Sequence, residues 1–142
     1  MQQYEYTFTV GLDRAAIDER LAAAETGVLS LARDDEAYAV PVAYHWDGEA
    51  FVFRLGDHAG SEKMAFIEST DRAAFLVSHY GPSDASWSVL ATGSLERVPE
   101  DEAELLERQE DFIPLRIFGE EVESLTPVLY ALDVERLTGR TT

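Results

Sequence analysis

The sequence predicts a mainly β domain with short helices, its antiparallel strands closing into a barrel. Three observations carry this expectation. Apolar residues alternate with a period of two, most clearly where Tyr38, Val40, Val42, Tyr44 and Trp46 interleave with Ala39, Pro41, Ala43 and His45. Strands that follow one another are joined by tight turns at Asp34 to Glu36, at Asp47-Gly48 and at Gly81 to Asp84. The helical segments are short and do not alternate with the strands as they would in βαβ units.

Met1 to Val10 reads as a first strand. A helix starts at Leu12-Asp13, with Asp13 as N-cap and Leu12 placed to staple onto Ile17. Ile17, Leu21 and Ala24 share its apolar face, Asp18, Glu19 and Arg20 turn outward, and Gly27 stops it near residue 25. Gly27 to Arg33 is a short strand, followed by the turn and the long strand at Tyr38 to Trp46. Pro41 cannot donate to a ladder, so it places this strand at an edge or a bulge. The return strand puts Phe51, Phe53 and Leu55 on one face and Val52 and Arg54 on the other. After a loop at Gly56 to Gly60, Ser61 caps a helix that runs to Ser69. Ala73 to Tyr80 and Ser86 to Val98 are strands, the second bent at Gly93. Pro99 opens an acidic helix, Glu100 to Glu110, with Leu105 and Leu106 as its apolar contacts. A loop holding Phe112 to Phe118 leads to a last strand, Pro127 to Val134, and Thr138 to Thr142 reads as a polar, frayed tail.

The length of 142 residues suits one domain, residues 1–142. No apolar run approaches the roughly 18–20 residues that span a bilayer. The first ten residues lack the basic start and unbroken apolar stretch of a secretory leader, so the expected location is the cytoplasm. With no cysteine, disulfides, zinc–thiolate sites and thiol nucleophiles are excluded. His45, His58 and His79 lie far apart in sequence and make no helical pair of ligands. The 28 acidic residues against 11 basic ones leave a formal charge of −17. Such a surface repels nucleic-acid phosphates and anionic membranes and is a device of salt-adapted proteins. The apolar and aromatic content is too high for a disordered acidic chain.

Of the basic residues only Lys63 is a lysine. It falls in the first turn of the helix that Ser61 caps, where the helix dipole disfavours a cation by roughly 0.3–1 kcal/mol. A phosphate bound at that helix start reverses the sign, because the first backbone N–H groups form an anion site. Arg54, on the preceding strand, is close enough in sequence to reach the same pocket. Two solvated basic side chains and an ordinary cap account for the same residues equally well. The spacing excludes a nucleotide-hydrolase phosphate loop, since Met64 follows Lys63, and no Gly-x-Ser-x-Gly elbow is present. Trp87, flanked by Ser86 and Ser88 and followed by Val89, offers a flat apolar wall beside hydroxyls, although a core or dimer-contact tryptophan explains it as well.

In order, Gly27 to Leu31, Tyr38 to Tyr44, Phe51 to Arg54, Gly60 to Lys63 and Trp87 to Gly93 resemble the pyridoxamine 5′-phosphate oxidase-like family of FMN-binding split barrels. The resemblance covers residues 12 to 98 and implies a six-stranded antiparallel split β-barrel. It also implies a homodimer with one FMN per subunit at the interface. Arg54, Ser61 and Lys63 then hold the phosphate, the backbone of Val40, Pro41 and Val42 runs along the isoalloxazine ring, and Trp87, Ser88 and Val89 lie near the ring or its ribityl chain. The family position before the lysine is often basic, whereas here it is Glu62, one charge short. The implied activity is an FMN-dependent oxidoreductase acting on a small organic substrate. A deazaflavin-dependent reductase of the same fold and a non-catalytic flavin- or haem-binding dimer are the alternatives. The acidic helix at Glu100 to Glu110 either covers the cleft or braces the dimer.

Overall fold

The structure, a computed structural model, describes residues 4–57, 61–82, 86–109 and 126–142. The described elements are, in chain order, β1 (Val10–Gly11), α1 (Arg14–Ala23), β2 (Thr26–Arg33), β3 (Glu36–Trp46), β4 (Ala50–Asp57), α2 (Glu62–Ser69), β5 (Ala73–His79), β6 (Trp87–Arg97), α3 (Glu100–Gln109) and β7 (Thr126–Thr141). The strands run antiparallel in the order β1-β7-β4-β3-β2-β5-β6, and β7 also pairs with β6. That last pairing closes β2 to β7 into the expected six-stranded barrel, with β1 attached outside the ring at Arg140 and Thr141.

Period-two alternation builds the barrel interior. Leu29 and Leu31 of β2, Val42 and Tyr44 of β3, Phe51, Phe53 and Leu55 of β4, Phe75 and Val77 of β5, Val89 and Ala91 of β6 and Leu132 of β7 all point inward. The rings of Phe51, Phe53, Phe75 and Tyr44 stand against one another at centroid distances of 4.6 to 6.1 Å, mostly edge-on or tilted. The two ends are plugged by helices. At one end α1 buries Ile17 and Leu21, its start capped by Asp13, whose Oδ1 accepts from Ala16 N at 2.8 Å. The Tyr44 hydroxyl donates to Leu21 O at 2.7 Å, and Trp46 Nε1 donates to Asp18 Oδ1 at 2.8 Å. Asp18 therefore does not simply face outward as the helical pattern suggests. At the other end α2 buries Met64, Phe66 and Ile67, and Phe66 stacks on Tyr38 at 5.0 Å.

The bend expected at Gly93 is a register shift. Thr92 pairs with Arg136 but Gly93 pairs with Val134, so β7 carries one extra residue there. A Cβ on Gly93 would lie 1.9 Å from the carbonyl oxygen of Asp133, so only glycine fits.

Three expectations are corrected. Residues 4–9 form no strand; only Val10 and Gly11 pair, with the end of β7. Thr138 to Thr141 are no frayed tail, because β7 continues through them in register with Leu90 back to Trp87. On α3, Ala103 and Leu106 pack against Val52, Val98 and Leu129, while Leu105 is 51% exposed. Residues spaced i, i+3 share a helix face, and Leu105 is turned off it. Phe112 to Phe118 lie outside the described residues.

Candidate functional site

Arg54 and an open edge of β3 meet where β3 and β4 part. β3 pairs with β2 from Glu36 to Ala43. It pairs with β4 only from Ala43, opposite Arg54, to Trp46. The rest of β4, Leu55 to Asp57, is bonded to β7 alone among the described strands. A gap therefore opens between Glu36–Val42 of one strand and Leu55–Asp57 of the other.

Backbone alternation shows what faces the gap. Tyr44 N donates to Glu25 O at 3.1 Å, on the β2 side. Peptide groups alternate along a strand, so those of Val42 and Val40 also face β2, and those of Ala43, Pro41 and Ala39 face β4. Pro41 thus lacks its N–H where no described strand could have used it, which meets the expectation of an edge position. By the same rule Gly56 turns its peptide groups into the gap from the β4 side.

Arg54 stands at the point of divergence, its side chain on the outer face of β4, opposite in sense to Phe53 and Leu55. It shares that face with Val52, which lies under α3. Its Nε lies 3.1 Å from Glu107 Oε1 of α3, with the two side chains 21% and 28% exposed. Beyond the end of β4, α2 begins. Ser61 is its N-cap and accepts from Met64 N at 3.3 Å, and Lys63 is half-buried in its first turn. The far end of α2 is held by Thr70, whose hydroxyl donates to Phe66 O at 2.6 Å and accepts from Ala32 N at 3.3 Å. Burial raises the pKa of the Tyr130 phenol, in the core beneath this end of the barrel. Arg97 opposes that shift, and the carboxylates of Glu68 and Asp57 add to it.

Trp87, Ser88 and Val89 are elsewhere. Along β7, Trp87 is opposite Thr141 and Arg54 is opposite Leu129, 141 − 129 = 12 residues apart. Val89 is a core side chain with 1% exposure, Trp87 packs half-buried against the core, and Ser88 faces outward between Ser78 and Arg140. One chain does not bring these residues to Arg54 and Lys63. The outer surface between the two places carries an apolar row. Val28, Leu76 and Leu90 are neighbours in register on β2, β5 and β6 and are 39%, 39% and 44% exposed. Val28 also pairs with Pro41, so the row runs up to the open edge of β3.

Two features of the site escaped the sequence: the position of the gap between β3 and β4, and Glu107. The signal for Glu107 is an acid next to Leu106 and four residues after Ala103, on the apolar face of an otherwise acidic helix.

A closed six-stranded barrel parted between two neighbouring strands defines a split-barrel protein. Solved structures with this fold include an FAD-binding protein from Mesorhizobium loti, 20% identical over 96% of this chain and 99% of that one, with a TM-score of 0.70. The FAD binding protein of Mycobacterium smegmatis is 14% identical, with 95% and 98% covered and a TM-score of 0.71. An FAD and heme binding protein from the same organism is 20% identical, with 92% and 71% covered and a TM-score of 0.66. The chain belongs to the pyridoxamine 5′-phosphate oxidase family, whose model matches residues 13–141. Comparison with curated proteins gave no match.

Proposed function

We propose that this protein binds a flavin, FMN, in the gap between β3 and β4, and works as an oxidoreductase on a small organic substrate. The observation that carries the reading is the open edge of β3 across from Arg54's strand, with the start of α2 next in the chain after β4. The donor set fits the group. Arg54, the Lys63 ammonium, the Ser61 hydroxyl and the first N–H groups of α2 all suit a phosphate. The carbonyl of Pro41 and the peptide groups of Ala39, on the open edge, suit the polar rim of a flat heterocycle. A bound flavin supplies hydride or electron transfer, and the chain's residues bind it, orient it and exclude water.

A second copy of the chain completes the reading. Trp87 and Ser88 are too far from Arg54 to share a site within one barrel, and the row from Pro41 to Leu90 is an apolar face next to the gap. We place a homodimer contact on that row, which would carry Trp87 and Ser88 of each barrel toward the other's gap. Val89 contributes to such a site only through its backbone.

The visible spectrum of protein purified in high salt, with added FMN, is the primary test. Flavin bands that co-elute with a dimer support the reading, and a protein that takes up no flavin overturns it. Bleaching by a nicotinamide donor tests turnover. FAD is the second reading, favoured by the FAD-binding relatives named above, and mass analysis of the released flavin separates the two. Lys63→Ala is expected to weaken FMN binding by roughly tenfold, about 1.4 kcal/mol, with little change in melting temperature. Equal affinity in parent and variant removes Lys63 from the site.

A further inference from the structure

We propose that Glu107 competes with the flavin phosphate for Arg54, so that α3 sets how strongly the site prefers a phosphorylated flavin. The inference rests on the flavin reading above and adds to it a residue that opposes binding. Its origin is the packing of α3. Val52 and Arg54 lie two residues apart on the outer face of β4, so a helix that covers Val52 also runs over Arg54. Ala103 and Leu106 fasten α3 to Val52, Val98 and Leu129. Glu107, beside Leu106 on the same face, is thereby aimed at the guanidinium, at 3.1 Å.

Of the two cations proposed for the phosphate, Arg54 lies against Glu107 and Lys63 follows Glu62 in sequence. A phosphate dianion entering this site meets a guanidinium already facing a carboxylate. Both partners of the pair are largely shielded from solvent, so salt screens the opposition less than it would on an open surface. FMN must displace the Glu107 carboxylate or share the guanidinium with it, and either course costs affinity. Riboflavin, which has no phosphate, does not contest Arg54. Glu107 therefore lowers the preference for FMN over riboflavin and leaves the ring contacts alone.

Glu107→Gln keeps the shape of the side chain and removes its charge. The experiment measures dissociation constants of FMN and of riboflavin by flavin fluorescence quenching, on the full chain in high salt. It compares the parent with Glu107→Gln, Arg54→Gln and the double variant. The expected result is FMN binding about tenfold tighter in Glu107→Gln, with riboflavin unchanged, and most of that gain absent when Arg54 is also replaced. If the parent binds FMN but Glu107→Gln binds it equally or more weakly, Glu107 braces Arg54, and the inference fails while the flavin reading stands. Equal tightening of FMN and riboflavin also overturns it, because the effect then does not pass through the phosphate. Failure of parent and variant alike to bind FMN overturns the flavin reading and the inference with it.

Discussion

Tyr44 is where the barrel and its plug meet. Its ring is buried among Phe51 and Phe75, and its hydroxyl donates to Leu21 O on α1. Burial raises the pKa of this phenol well above the usual tyrosine value. A folded-state pKa above the unfolded one means that the stabilisation is fully present below about pH 10 and is lost as pH rises beyond it. Equilibrium denaturation at stepped alkaline pH is therefore expected to show stability falling from about pH 10 upward. Tyr44→Phe should lose about 1 kcal/mol at neutral pH, through the unpaired Leu21 carbonyl, yet fall less steeply in alkali. At this scale the sequence was most legible where the chemistry is local. The caps at Asp13 and Ser61 need only the next three residues, and both are formed. The pairing of Arg54 with Glu107 joins residues 53 positions apart, and no local pattern reveals it.

Among the elements, β7 departs most from what its composition suggests. Thr138 to Thr142 is polar and looks like a loose end, but strand pairing needs neighbours more than apolar side chains. Here β6 lies on one side and β1 on the other. Gly139 is buried against Leu12 and Ile17, so the same segment also seats α1. Removing residues 138–142 is expected to destabilise the fold by roughly 2–5 kcal/mol, comparable to a large core deletion. A thermal melt of the shortened chain checks this, and an unchanged melting temperature would contradict the pairing. The start of the chain was misread in the opposite sense. Residues 4–9 alternate like a strand but meet no described strand, because pairing is decided by what lies alongside and the pattern alone cannot supply it. The extent of α3 was legible from its acidic run. Its working face was not, since Leu105 and Leu106 are equally apolar and only the position of Val52 chooses between them.

For the whole molecule, the formal charge of −17 acts as a uniform self-repulsion. Salt shortens its range to about 8 Å at physiological ionic strength and about 3 Å at 1 M. Urea midpoints are expected to rise steadily as KCl is raised from low salt to about 1 M, with an unchanged slope if compactness is unaltered. A flat or falling midpoint would show that the excess acid does not burden the fold. The barrel architecture was readable because tight turns and alternation constrain neighbouring strands so closely. Which strands close it was not, because closure depends on β6 and β7 meeting across the intervening α3. That meeting also orders events during synthesis. The final stave of the ring is the one bonded to β4, β6 and β1. Until it leaves the ribosome the earlier strands can form only an open, curled sheet with two bare edges. The cooperative step of folding must then come after translation of β7, with the acidic surface keeping the waiting sheets of neighbouring nascent chains apart.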